Sequence, residues 1–197
     1  MFYFGLGKIR RFYLFHKMYD KGINKENLGE YPKALHYLFY ALSLRTGSLK
    51  TYKAIARVNR KNKTFLNALD FYSKAIDRHP NNAELFALKA DLHRRVKEYD
   101  LAIKHYNVAI QIAPSNIEYY KNRAQIKYYI DDIQGAINDY TTALIYNSKD
   151  SFLYTQRGFC KLNKKMYESA KEDYLESNNL KPNNKHILEM IKIIDNK

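Results

Sequence analysis

Apolar positions recur along the chain with a period of 34 residues. One position of the pattern is always alanine, and the position four residues later is leucine or tyrosine. These positions are Ala34, Ala68, Ala102, Ala136 and Ala170, followed by Leu38, Tyr72, Tyr106, Tyr140 and Tyr174. Within each period, two stretches of about 14 residues have the apolar spacing of an amphipathic helix, with a short polar joint between them. Each period therefore predicts a pair of helices.

Repeats of this period extend over residues 15–184. Their predicted bounds are 15–48, 49–82, 83–116, 117–150 and 151–184. Proline closes three of them and prevents the second helix from continuing. Residues 1–14 form a basic and aromatic N-terminal segment, and the apolar spacing in residues 185–197 predicts a C-terminal capping helix.

The order large, small, aromatic, alanine, aromatic, alanine and proline at fixed offsets resembles the tetratricopeptide repeat (TPR) family. The resemblance covers residues 15–184. It implies an all-α fold, a right-handed superhelical solenoid of about five helix-turn-helix repeats with a capping helix. In such a fold each repeat buries its apolar face against its neighbour, and the first helices of the repeats line a concave groove.

Internal pairing supports this register. The seventh and twenty-third residues of each repeat should face each other across the helix pair, and in the last two repeats they are arginine and aspartate. We therefore predict contacts between Arg123 and Asp139 and between Arg157 and Asp173, because a guanidinium and a carboxylate form two parallel hydrogen bonds.

The formal charge of +14 is concentrated in residues 1–63. A basic field of this size attracts acidic protein segments, nucleic acid or anionic lipid. The single cysteine, Cys160, cannot form an internal disulfide, and no apolar run has the roughly 20 residues that span a bilayer. We therefore expect a folded, soluble protein in a reducing compartment, with a cytoplasmic location.

The start of the chain, through Phe15, is basic and aromatic, and the first acidic residue is Asp20. We expect its aromatic side chains to cover the open end of the first repeat, because the ends of a repeat array need caps. Organelle import and membrane contact are the alternatives.

The sequence contains no convincing catalytic constellation. Its histidines lack metal-ligand spacing, although His93 and His105 share a repeat, and it has no phosphate-binding glycine loop. Cys160 lies near a small residue and is interpreted as a core thiol. We predict that the protein is not an enzyme and uses no cofactor or metal ion.

The first helix of the second repeat carries a basic stripe, five cations within an arc of about 100°. These are Lys50, Lys53, Arg57, Arg60 and Lys61. By the resemblance, they face the groove, and later repeats add Arg94, Arg95 and Lys121 to its lining. Further along, the predicted lining becomes aromatic with Tyr128, Tyr129, Phe152 and Phe159. The alternative reading of the stripe is a solvated helix face.

This lining favours a non-enzymatic adaptor whose groove binds an acidic peptide or protein segment that carries an apolar anchor. A carboxylate clamp for chaperone tails is disfavoured, because Leu88 and Glu118 occupy two of the clamp positions that the resemblance defines. One alternative is an RNA-binding module that uses the same cations and aromatic rings. Another is a subunit of a larger assembly that buries Phe2, Phe4, Phe12 and Phe15 against a neighbour.

Overall fold

The computed structural model describes the backbone of residues 2–196 and the side chains of residues 7–196. Within those residues the chain forms eleven α-helices and no strand. In chain order they are α1 (Phe2–Asn27), α2 (Tyr31–Leu44), α3 (Leu49–Lys61), α4 (Phe65–Arg78), α5 (Ala83–Arg95), α6 (Tyr99–Ile112), α7 (Ile117–Tyr129), α8 (Ile133–Tyr146), α9 (Ser151–Asn163), α10 (Tyr167–Leu180) and α11 (Lys185–Asp195). The all-α class and the predicted helix pairs are confirmed.

The joint inside each helix pair repeats as regularly as the apolar pattern. One residue of each joint has a positive φ, at Gly29, Lys63, Lys97, Asp131 and Lys165. The amide after it donates to a carbonyl five residues earlier, as from Thr64 to Asn59 and from Met166 to Lys161. This is the Schellman ending, which satisfies the last carbonyls of the first helix and turns the chain sharply into the second.

Helix α1 is longer than the other helices of the described chain, because it begins at Phe2 and includes the N-terminal segment. The predicted boundary between residues 14 and 15 thus falls inside a continuous helix. Phe15 is buried within this chain, so it does not need a neighbouring subunit, whereas Phe12 and Tyr13 are exposed. The expectation that the aromatic residues cover the repeat end is therefore met by Phe15 and is wrong for Phe12 and Tyr13. The side chains of Phe2 and Phe4 lie outside the described residues.

The chain divides into two compact units, Met1–Leu92 and His93–Lys197. The repeated alanines Ala68, Ala102 and Ala136 are fully buried, which lets the two helices of a pair approach closely. In the second unit, Tyr140 fills the space beside Ala136 within one core cluster, and Tyr174 packs beside Ala170 in another.

The predicted arginine and aspartate contacts are confirmed in the second unit. Arg123 donates to both carboxylate oxygens of Asp139 at 2.8 and 2.5 Å, and Arg157 contacts Asp173 in the same way at 2.9 and 2.6 Å. A lysine one helical turn after each arginine also contacts the aspartate, with nitrogen–oxygen distances of 3.0 Å in the fourth repeat and 2.8 Å in the fifth. The buried carboxylates thus tie the two helices of each pair together.

Candidate functional site

The second unit contains a cavity of about 370 Å³ that is open to solvent. Its walls come from the end of α5, the joint that follows, and helices α6 to α9. The lining residues are Arg94, Arg95, Lys97, Tyr99, Gln125, Ile126, Tyr128, Tyr129, Tyr140, Gln156, Phe159 and Cys160. Among these residues there is no carboxylate. The volume lies near the lower end of the about 300–1,000 Å³ that is usual for ligand pockets.

Aromatic rings form one wall of the cavity. The ring centroids of Tyr128 and Phe159 are 5.4 Å apart, and those of Tyr99 and Tyr129 are 6.0 Å apart. The hydroxyl oxygen of Tyr128 accepts a hydrogen bond from Asn163 at 3.1 Å, which fixes the ring. Tyr129 and Phe159 are exposed, so this wall offers apolar surface to a ligand without any rearrangement of the pocket.

Cations and amides supply the polar part of the cavity. Arg94, Arg95 and Lys97 lie close together in sequence and give their side of the pocket a positive charge. The side chains of Gln125 and Gln156 add amide donors and acceptors. The cavity therefore combines an apolar surface with a cationic side and with groups able to hydrogen bond a peptide backbone.

Two ionisable groups at the floor of the cavity are held in their neutral forms by burial. Cys160 is buried, and its burial raises the pKa of the thiol to about 11. Burial also raises the pKa of the Tyr140 hydroxyl well above its usual range. Both groups stay protonated near neutral pH, so Cys160 is a core thiol as predicted and no nucleophile forms there.

The sequence prediction placed five of these lining residues in a groove: Arg94, Arg95, Tyr128, Tyr129 and Phe159. Two other predicted residues of the second unit lie outside the cavity. The ammonium of Lys121 lies 5.1 Å from the ring centroid of Phe152 and pairs with the carboxylate of Glu118. These two residues contact each other and contribute nothing to the cavity wall.

The basic stripe of α3 belongs to the first unit, and part of its charge is paired within the protein. Glu26 of α1 has only 1% of its side chain exposed and accepts from Arg57 at two distances of 2.7 Å. Lys61 approaches the same carboxylate at 2.9 Å. One buried glutamate therefore holds two of the five cations of the stripe, a partner that the sequence did not reveal.

Other cations of the stripe also have contacts. Lys53 pairs with the exposed carboxylate of Glu84 at 2.5 Å. The ammonium of Lys50 lies 4.2 Å from the ring centroid of Tyr19, a cation–π contact. Arg60 is half-buried on the same helix. The stripe thus helps to hold α1 and α5 residues to α3 as well as carrying positive charge.

Glu26 gives the first unit a pH dependence. Burial opposes its ionisation, but hydrogen bonds from Arg57 and Lys61 outweigh burial and place its pKa below the ordinary value of 4.5. A lowered carboxylate pKa stabilises the folded state above the unfolded pKa and loses this effect as the pH falls through the folded value. We expect Glu26→Gln to lower the free energy of unfolding by about 1–2 kcal/mol at pH 7, because both cations are partly solvated. Urea unfolding should show this difference shrinking as the pH falls below 4.5. A stability difference that grows on acidification would contradict a lowered pKa for Glu26.

Two histidines of the predicted third repeat are close in the structure. The rings of His93 and His105 are stacked with centroids 5.2 Å apart, and Nδ1 of His93 lies 2.6 Å from a carboxylate oxygen of Glu98. Among the described residues no group of histidine, cysteine and acidic side chains has the arrangement of a metal site. In the described part of the chain, no helix has both the length and the apolar character required to cross a membrane.

Several features of the candidate site were missed from the sequence. Gln125, Gln156 and Tyr99 line the cavity but were not predicted to do so, although Tyr99 occupies the repeated aromatic position of its repeat. Lys97 lies at the positive-φ position of a joint that recurs in every repeat, so its place beside the end of α5 could have been predicted from the repeat register. Glu26 was not recognised as the partner of the stripe, since it lies about one repeat earlier than the cations that it binds.

Comparisons with known proteins agree with the fold. The ChAPs family, described as Chs5p-Arf1p-binding proteins, matches residues 36–195. No curated protein matches the chain in sequence.

Several solved structures are similar to this one. MamA from Desulfovibrio magneticus has 14% identity and a TM-score of 0.74, covering 87% of this chain and 97% of that chain. YrrB, described as a TPR protein with an unusual peptide-binding site, has 16% identity and a TM-score of 0.70 over 89% and 90%. PilF from Pseudomonas aeruginosa has 17% identity and a TM-score of 0.73 over 94% and 86%. The expected tetratricopeptide-repeat fold is thus confirmed.

Proposed function

The chain belongs to the ChAPs family, the Chs5p-Arf1p-binding proteins, and on this premise we propose that it is a non-enzymatic adaptor that binds other proteins. The family description names protein binding, and the solved structure of YrrB is described by a peptide-binding site. The repeat fold supports this role, because stacked helix pairs present extended surfaces to a partner.

The cavity of the second unit is the proposed binding site. The observation that carries the proposal is the juxtaposition of exposed aromatic rings, Tyr129 and Phe159, with the cations Arg95 and Lys97 around one open cavity. The preferred ligand is a peptide segment with a large apolar side chain that enters the cavity. An aspartate or glutamate next to this anchor would meet the cationic side.

The two parts of the ligand have different roles. Burying the apolar anchor against the aromatic wall supplies most of the affinity, because a few buried contacts dominate protein interfaces. The carboxylate chiefly speeds encounter and selects orientation, and its contribution falls as the salt concentration rises. Gln125 and Gln156 line the cavity, and their amides would hydrogen bond the peptide backbone.

A selection from a phage-displayed library of random peptides tests this function. We expect enrichment of sequences that place a large apolar residue beside Asp or Glu. The double variant Tyr129→Ala with Phe159→Ala should bind the selected peptides at least about tenfold more weakly. Removal of charge in Arg95→Gln should weaken binding less and mainly at low salt.

The matched control for the double variant removes equally exposed apolar residues of the same unit. Ile145 is 77% exposed, as is Tyr129, and Leu175 is 44% exposed against 42% for Phe159. The variant Ile145→Ala with Leu175→Ala should bind like the wild type. Selected peptides that bind the cavity variant and the control equally well would refute the site, and preferential binding of polyuridylate would support the RNA alternative.

A further inference from the structure

The N-terminal part of α1 has two opposite apolar faces. At 100° per residue, Phe15 and Met18 lie on one side of the helix, and both are buried in a cluster with Ala41 of α2. Ile9, Phe12 and Tyr13 lie on the other side within an arc of about 100°. Their side chains are 67%, 60% and 65% exposed. The helix therefore presents an aromatic face outward in addition to the face that packs on α2.

Basic residues flank this outward face. Lys8 lies at one edge of the arc, and Arg10 and Lys17 lie at the other, each about 40–60° beyond the apolar residues. All three are exposed. Asp20 is the first acidic residue of the chain and is exposed on the same side as the apolar arc, so the uniformly basic part of the face ends before it.

A small pocket adjoins the outward face. It has a volume of about 180 Å³, and three cations line it: Lys8, Arg11 and Arg45. Arg11 donates to the carbonyl of Leu44 at 2.9 Å, and Arg45 lies 5.7 Å from the ring centroid of Phe15, so both cations are positioned by contacts with their own unit. Three cations around one space suit an anionic phosphate group.

We propose that this face of α1 binds the surface of a membrane that contains anionic lipids. Ile9, Phe12 and Tyr13 enter the boundary between headgroups and acyl chains, while Lys8 and Arg10 extend to headgroup phosphates. An exposed apolar arc with basic residues along both edges is the arrangement of helices that lie in a membrane interface. The long stems of lysine and arginine keep their charges among the headgroups while the apolar side chains enter.

Exposure and charge favour a lipid surface over a protein partner. Ile9, Phe12 and Tyr13 all lie on one helix and remain 67%, 60% and 65% exposed, whereas a docked peptide usually occupies a groove between helices or strands. A second copy of this chain would bring the same positive charges against Lys8, Arg10 and Lys17, and like charges oppose such a contact. Anionic headgroups supply the complementary charge together with an apolar layer directly beneath it.

Vesicle sedimentation tests the electrostatic part of the proposal. The wild type should bind phosphatidylcholine vesicles that contain phosphatidylserine, and bind vesicles of phosphatidylcholine alone much more weakly. The variant Lys8→Glu, Arg10→Glu and Lys17→Glu should bind the anionic vesicles at least about tenfold more weakly. The control, Lys104→Glu, Lys149→Glu and Lys181→Glu, makes the same change in net charge on exposed lysines elsewhere and should stay within about twofold of wild type.

The apolar part has its own variant and control. Ile9→Ser, Phe12→Ser and Tyr13→Ser should also weaken binding at least about tenfold. The control variant Leu66→Ser with Ile145→Ser alters residues that are 82% and 77% exposed, and it should bind the anionic vesicles like the wild type. Equal loss in variants and controls would overturn the proposal. Absence of vesicle binding, combined with binding of polyglutamate that the charge variant abolishes, would assign the face to an acidic protein segment instead and would equally overturn it.

Because the chain contains no tryptophan, a single introduced tryptophan allows membrane insertion of the outward face to be measured by fluorescence. Phe12→Trp introduces one fluorophore on the outward face, and Leu66→Trp introduces one on α4 as a control. Anionic vesicles should shift the emission of the first variant to shorter wavelength and leave that of the second unchanged. No shift in the first variant, or the same shift in both, would show that Phe12 does not enter the membrane.

Discussion

Tyr140→Ala is expected to lower the free energy of unfolding of the second unit by about 3–5 kcal/mol. Only 1% of Tyr140 is exposed, and its ring packs in the core cluster that also contains Ala136, Leu153 and Cys160. Removing the ring leaves a void that the closely spaced helices cannot fill, because repeated alanines already set a short distance between them. Denaturant unfolding followed by circular dichroism measures the loss.

The matched control is Tyr129→Ala, which removes the same side chain from the exposed wall of the same cavity. We expect its stability to stay within about 0.5 kcal/mol of the wild type. Since Tyr140 also forms the floor of the cavity, its truncation should weaken peptide binding only through the changed shape of the pocket. Similar stabilities for the two variants would mean that Tyr140 is not a core residue.

Asp173→Ala is expected to cost about 3–5 kcal/mol, because it leaves two cations without their buried carboxylate. Arg157 and Lys161 both contact Asp173, and their side chains are largely shielded from water. Desolvated positive charges without a counter-charge are unfavourable, and the two also repel each other. Chemical denaturation at pH 7 measures the effect.

An exposed ion pair provides the comparison. Asp70→Ala removes the partner of Lys74, which lies four residues later on the same face of α4. Because both side chains are about half exposed, this change should cost only about 0.2–0.5 kcal/mol. If Asp173→Ala were no more destabilising than Asp70→Ala, the paired carboxylates of the last two repeats would have no structural role. The variant Asp173→Ala with Arg157→Met and Lys161→Met should recover part of the loss, since it removes the unpaired charges.

The repeat pattern predicted the fold well because the same physical constraint recurs in every period. Alanines such as Ala68 and Ala102 mark the closest approach of two helices, and a fixed spacing to a large side chain marks the core. The register was specific enough to predict the contact between Arg157 and Asp173, since both residues face across one helix pair. Local regularity of this kind can be read from the sequence alone.

The candidate site was less predictable. The aromatic wall at Tyr128 and Phe159 follows from the repeat positions. Gln156 joins it from a position that the pattern leaves unconstrained, and Tyr99 occupies a repeated aromatic position that the pattern assigns to packing rather than to the cavity. The internal partner of the basic stripe was missed, because charge alone does not reveal a residue such as Glu26. Sequence spacing shows which side chains share a helix face, whereas pairing between helices depends on their packing.

The length of α1 was also missed. The sequence suggested a boundary near residue 15, whereas the helix runs without a break from Phe2 to Asn27. A helix continues wherever its backbone hydrogen bonds are satisfied and no proline or cap ends it, and residues 2–27 contain no proline. Repeat boundaries and helix boundaries therefore differ at this end of the described chain.

The central claim is that the cavity of the second unit binds a peptide through its aromatic wall and cationic side. Nuclear magnetic resonance of the full chain, titrated with the most enriched peptide from the selection, tests it most directly. We predict that the largest amide shift changes occur at residues lining the cavity, in particular near Arg95, Tyr129 and Phe159. Saturable changes confined to the basic stripe of α3, with the cavity residues unaffected, would contradict the claim.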